Sequence, residues 1–173
     1  MNPASSGYFH VEPLGDRHDR ESFSCGVPEL DKYLLQQAGQ DARRRIAAPF
    51  VLLDHAGAIA GYYTLSAYAI RVTELPADIA KKLPRYPMFP ATLLGRLAIS
   101  REYQGKKLGQ MLLMDALQRS LRSTTQVASA GIVVDAIDER ARLFYLHHEF
   151  ISLPDHPNRL FIAMRTIEKL FRD

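Results

Sequence analysis

The run Gln104-Gly105-Lys106-Lys107-Leu108-Gly109 carries a charged loop into a leucine-rich stretch. Its residue types suit the binding of an anion. Glycines permit tight turning and close approach of main chain to a ligand, and the two lysines put positive charge beside them. A helix starting there presents unpaired N–H groups with the positive end of its dipole behind them, which fits a phosphate or pyrophosphate. No Gly-Lys-Ser/Thr follows and no Gly-x-Gly-x-x-Gly is present, so the run is neither a P-loop nor a dinucleotide-binding turn. Arg96 is the second unusual residue, because an arginine inside the apolar run Ala91–Ser100 must reach solvent or an anion. Basic residues also cluster at Arg43, Arg44 and Arg45, in Lys81-Lys82-Leu83-Pro84-Arg85, and around the 104–109 run. Such clusters read either as solvated surface or as the footprint of a phosphate-rich partner.

These residues need elements to position them. The 173 residues suffice for one domain, 1–173, with a sizeable core. At 47% hydrophobic and 24% charged, the composition is that of a folded globular chain. No window has the apolar length of a bilayer span, and the first ten residues have neither a basic start nor an apolar core; a cytoplasmic protein is expected. Cys25 is the one cysteine, which excludes an internal disulfide and a thiolate zinc cluster and reads as a small buried residue. No metal is expected.

A first strand is expected over 7–14, ended by Pro13. A mostly helical stretch follows over 25–47, with Leu30, Leu34 and Ala38 on one side and a break near Gly39. Two strands flank the turn 54–57. A proline-rich loop over 74–90 holds at most one helical turn, and a buried strand spans 91–100. Then come a helix over 108–121, a strand over 128–137 and a helix capped by Asp138. Further strands are expected over 150–154 and 159–167, with a short helical tail. Alternating strands and helices indicate a mixed α/β sheet. On the helix after Asp138, Ala141, Tyr145 and His148 share one side, where a tyrosine most simply packs. His147 and His148 point about 100° apart and read as surface residues at a helix end.

The stretch from Leu93 to Leu117 resembles motif A of the GNAT N-acetyltransferases, a strand followed by a Gln/Arg-x-x-Gly-x-Gly/Ala loop that cradles the pyrophosphate of acetyl-CoA. Lys107 stands where that motif has its middle glycine. The later run Ala141, Phe144, Tyr145, Phe150 resembles a second motif of the family, with Glu149 in place of a glycine. The helix there is expected to end without its customary left-handed cap. The resemblance implies the GNAT fold, a mixed, splayed sheet flanked by helices. It assigns the cofactor-binding role to Leu97, Ala98 and Ile99 on the fourth strand, where Leu97 and Ile99 offer backbone groups to the pantetheine arm, and to Gln104, Gly105, Lys106, Lys107, Leu108 and Gly109. It makes Tyr145 the general acid for the departing thiolate.

The segment 23–41 is similar to the start of a narrower branch, the acetyltransferase toxins of type II toxin-antitoxin pairs. Membership there implies acetyl transfer to the α-amine of aminoacyl-tRNA, a block of translation, a ribbon-helix-helix antitoxin and a homodimer. Arg96, Arg43 and Arg44 are then candidate substrate contacts. The chemistry of the strand agrees with the branch. A lysine with pKa about 10.4 needs a base before it can attack a thioester, whereas an α-amine near 8, lowered further by an adjacent ester, is partly neutral already. The strand 91–100 carries no carboxylate to serve as that base. Two alternatives are an N-acetyltransferase of a small amine or protein N-terminus, and a non-catalytic acetyl-CoA-binding module that docks on a DNA-binding partner.

Overall fold

The computed structural model describes residues 9–172. Seven strands form one sheet in the order β1-β2-β3-β4-β5-β7-β6. They are β1 (His10–Pro13), β2 (Ala48–Leu53), β3 (Ile59–Arg71), β4 (Met88–Ile99), β5 (Gly131–Asp135), β6 (Ile151–Leu153) and β7 (His156–Ala163). The helices are α1 (Pro28–Lys32), α2 (Ala38–Arg43), α3 (Ala77–Ala80), α4 (Leu108–Ser123), α5 (Glu139–His147) and α6 (Met164–Leu170). β4 and β5 run parallel, whereas β1–β2, β2–β3, β5–β7 and β6–β7 are antiparallel, so the sheet is mixed. The described register of β4 with β5 covers Thr92 to Leu94. β4 itself continues five residues further, to Ile99.

The chain divides into two compact units, residues 1–66 with 95–116, and 67–94 with 117–173. In the first, Phe23, Leu34, Ala38, Val51, Tyr62 and Ala98 form a buried cluster. α4 supplies fully buried Leu112, Leu113 and Ala116. Gly61 of β3 is there because a Cβ would lie 2.7 Å from the Ile99 side chain and 2.8 Å from the Ala98 carbonyl oxygen of β4. In the second unit, Ile70, Leu75, Phe89, Val133 and Phe161 make the core.

Several boundaries differ from those expected. Gly7 and Tyr8 of the expected first strand lie outside the described residues. The helical stretch does not break at Gly39, which sits inside α2. Instead a π-helical turn over Tyr33–Gln37 joins α1 to α2. Four-residue spacing overshoots a 3.6-residue turn, and the wider i→i+5 turn brings Leu34 and Ala38 back over the core. The fourth strand starts at Met88 rather than Ala91, with Pro90 inside it. The last strand stops at Ala163, where α6 begins, rather than continuing to Ile167.

The helix α5 is the most instructive correction. Glu149 does adopt the left-handed conformation, with φ 73°. The Phe150 N–H donates to the Tyr145 carbonyl at 3.2 Å, and the Tyr145 and Phe150 rings meet edge to face at 5.3 Å. This is a Schellman cap with its accompanying apolar contact, built without glycine. At the other end, Asp138 caps as expected, accepting from the Ala141 N–H at 2.8 Å.

Candidate active site

The anion-binding run sits between β4 and α4, in the first unit. After Ser100, a 3-10 turn over Arg101–Tyr103 leads to Gln104. Gly105 and Lys107 have φ of 81° and 62°, with negative φ between them at Lys106. Alternating handedness turns successive N–H groups toward a common side, the geometry of an anion nest. A Cβ built on Gly105 meets nothing within 4 Å, so the nest opens onto free space. Lys106 and Lys107 are exposed, while Leu108 is buried and anchors the start of α4. The first-turn N–H groups of α4 have no intrahelical acceptor. Lys107 thus holds a left-handed backbone despite its side chain, at a cost of about 1–2 kcal/mol. These residues fit the diphosphate of a coenzyme.

Two braces hold this loop, and sequence reasoning missed both. The Gln104 side chain points inward and donates to the Cys25 carbonyl at 2.8 Å and the Ile99 carbonyl at 2.9 Å. The Ile99 carbonyl is therefore occupied by a side chain of the loop itself. Tyr103 donates its hydroxyl to Asp54, at the turn between β2 and β3. Asp54 also accepts from the Ala56 and Ala58 N–H groups, both at 2.9 Å. Burial acts to raise the Asp54 pKa, but the Tyr103 hydroxyl and these amides outweigh it and leave the carboxyl below its ordinary value. Tyr103 moves the opposite way, pushed up to about 12 first by the bond to Asp54 and then by burial. An Asp at the head of a turn was legible; a partner 49 residues away was not.

Arg96 is half-buried and reaches solvent in part. Its guanidinium lies 3.4 Å from the centroid of the Tyr33 ring, a close cation–π stack. Tyr33 donates to buried Asp41 at 2.8 Å, and Gln37 donates to the same carboxylate at 2.9 Å. Asp41 stays below its ordinary pKa, through Gln37 first, against burial, then through Tyr33 and the charge of Arg96. Tyr33 is pushed up to about 12, by burial first and by Asp41 second. Tyr33 opens the π turn, and Asp41 lies in α2, four residues past the end of that turn. Arg43 and Arg44 are exposed on α2 and its C-terminus. On β4, Leu97 and Ile99 are half-buried and Ala98 is in the core. Cys25 is buried, and its thiol is pushed up to about 11, by burial first and by Asp31 second.

Tyr145 lies in the second unit. It is 5% exposed, boxed edge to face by Phe144 and Phe150, both at 5.3 Å. Burial alone raises its pKa. Among the described residues its hydroxyl has no hydrogen-bond partner, so it can donate to an incoming group. His148 packs on Phe144 at 4.6 Å and its Nδ1 meets the Phe144 carbonyl, so only His147 is the surface residue expected. Asp135 is engaged by Arg159 at 2.8 Å. Among the described residues no cluster of His, Cys, Asp or Glu could hold a metal, and no helix is long and apolar enough to cross a membrane.

No protein-family model matches the chain. A tRNA-acetylating toxin of Mycobacterium tuberculosis is 32% identical over 168 residues, covering 97% of this chain and 99% of the relative. The chain belongs to the tRNA-acetylating toxins. Solved toxins of this group share its fold. A tyrosine-to-phenylalanine mutant of KacT superposes with a TM-score of 0.89 at 30% identity, over 95% of this chain and 99% of KacT. AtaT complexed with acetyl-methionyl-tRNAfMet gives 0.87 at 31% identity, again over 95% and 99%. An AtaT mutant bound to the C-terminus of its antitoxin AtaR and to acetyl-CoA gives 0.81 at 28% identity, over 95% and 99%. The fold is that of the GNAT toxins, and the tRNA-acetylating toxins are acetyl-CoA-dependent N-acetyltransferases.

Proposed function

We propose that this chain transfers acetyl from acetyl-CoA to the α-amine of an aminoacyl-tRNA and so arrests translation, with Tyr145 as its general acid. The observation that carries this reading is the Tyr145 hydroxyl, its pKa raised by burial, hydrogen-bonded to no other described residue, and fixed by the Schellman cap of α5. Acetyl-CoA, when bound, supplies a thioester whose acyl carbon accepts the amine. The Gly105 to Gly109 amides, with Lys106 and Lys107, bind its diphosphate, and β4 at Leu97 to Ile99 lies along its pantetheine arm. As the new C–N bond forms and the C–S bond breaks, Tyr145 gives its proton to the sulfur, and the amine gives up its own to water. β4 carries no acidic side chain, consistent with an amine that is already partly neutral.

β3, β4 and α4 each run unbroken through both compact units, which supports reading 1–173 as one catalytic domain. The neutralising partner is a ribbon-helix-helix antitoxin and the working form a cytoplasmic homodimer. A KacTA–DNA complex among the structural relatives supports a partner that reaches DNA. Arg43 and Arg44 are exposed and available to RNA phosphates; Arg96, half-buried on β4 and stacked on Tyr33, is the third candidate substrate contact. The glycine replacements do not favour a degenerate, non-catalytic module, since Lys107 and Glu149 both keep the left-handed backbone.

Acetylation of charged tRNA by the purified protein, compared with peptides and small amines, tests the reading. Tyr145→Phe should lower kcat about a hundredfold or more while acetyl-CoA still binds. Unchanged turnover in that variant would remove Tyr145 from the mechanism, and transfer to small amines alone would replace the substrate.

A further inference from the structure

The segment between β3 and β4 carries a second feature that acetyl transfer as such does not use. Lys81, Lys82, Arg85 and Tyr86 are all exposed, Tyr86 at 63%. Among the described residues none of the three cations has a carboxylate within ion-pair distance, Asp78 of the preceding helix included. The segment is nonetheless fixed. Leu75 is buried, and Ile79, Ala80 and Leu83 pack on the cluster of Ile70 and Phe89. The Val72 N–H donates to the Pro87 carbonyl at 2.9 Å, and the Tyr86 N–H to the Pro84 carbonyl at 2.9 Å. The Tyr86 and Phe89 rings meet at 62° with centroids 6.2 Å apart, and Tyr86 still keeps most of its surface in solvent.

Unpaired cations flanking an exposed, pinned aromatic ring are what single-stranded nucleic acid uses: charge along the phosphates, and a flat surface on which a base stacks. The Arg43 to Arg45 cluster differs, because among the described residues no exposed aromatic ring accompanies it. The segment also feeds directly into β4 at Met88, at the opposite end of that strand from the coenzyme loop. We infer that Lys81, Lys82, Arg85 and Tyr86 form a docking surface for the unpaired acceptor end of charged tRNA, with the cations on phosphates and a base stacked on Tyr86. This inference rests on the aminoacyl-tRNA reading above.

The test uses the full chain, bulk charged tRNA and labelled acetyl-CoA at about 50 and 200 mM salt, the range over which phosphate contacts reveal themselves. Lys81→Ala/Lys82→Ala/Arg85→Ala should lower kcat/KM for charged tRNA at least about tenfold at low salt and flatten its salt dependence, each lost contact removing about 0.7 from the log–log slope. Tyr86→Ala should cost about fivefold or more, with acetyl-CoA KM and melting temperature unchanged in both variants. If the triple variant melts early, Arg85→Ala and Lys82→Ala carry the same test singly. Unaltered kcat/KM and salt slope overturn the inference, and if antitoxin binding is lost instead, the surface belongs to that protein. A wild-type protein that acetylates other amines but no charged tRNA refutes the underlying reading, and this surface with it.

Discussion

Glu149 and Lys107 both hold φ above 60°, the left-handed region that favours glycine. An L side chain there costs about 1–2 kcal/mol, while glycine returns part of that as unfolded-state entropy, about 0.4–1 kcal/mol. Glu149→Gly should therefore raise stability by about 0.5–1 kcal/mol, a melting temperature higher by roughly 2 °C for a chain of this size. A β-branched residue at 149 should do the reverse and loosen Tyr145, lowering kcat more than acetyl-CoA affinity. Cys25 makes a separate prediction. With its thiol pushed up to about 11, roughly one molecule in ten thousand is thiolate at pH 7, so iodoacetamide should label the native protein far more slowly than the urea-unfolded one.

At the scale of elements, the coenzyme loop is fixed by what lies beside it. Tyr103 ties the 3-10 turn to Asp54, and Gln104 ties the loop to Cys25 and Ile99. Removing the Tyr103 hydroxyl strands a charge-assisted bond worth about 1.5 kcal/mol. Tyr103→Phe should raise the KM for acetyl-CoA about tenfold with kcat for saturated enzyme retained; a fall in kcat alone would show that the turn does not position the loop. The helical pair α1 and α2 depends on its π turn to seat Leu34, which is fully buried. Leu34→Ala should cost about 2–5 kcal/mol, read from the urea midpoint.

For the molecule as a whole, pH should act most visibly on the alkaline side. Tyr33 and Tyr103 are pushed up to about 12, and burial raises Tyr62 and Tyr145 as well. Their unfolded values lie near 10, so above that pH the unfolded chain has released protons that the folded chain keeps. Stability from these groups is whole below pH 10 and is lost as pH rises toward 12. Urea midpoints at pH 9 and 11 should fall with pH, and the fall should shrink in Tyr33→Phe; an unchanged slope would remove Tyr33 from the account.

Local chemistry made the strand–loop–helix around Gln104 to Gly109 legible, along with the Asp138 cap, the turn at 54–57 and the apolar side of α4. Each is encoded within a few residues by spacing, turn propensity or a helix end, and forces of that range can be read from sequence. The π turn, the left-handed Glu149, the inward turn of Gln104 and the stacking of Arg96 on Tyr33 could not. Those were decided by partners tens of residues away, or by packing strong enough to override the conformational preference of the residue itself. The sequence named candidate groups for binding an anion and donating a proton; only the tertiary structure determined which of them are engaged by other residues, because a side chain's availability depends on who else has claimed it.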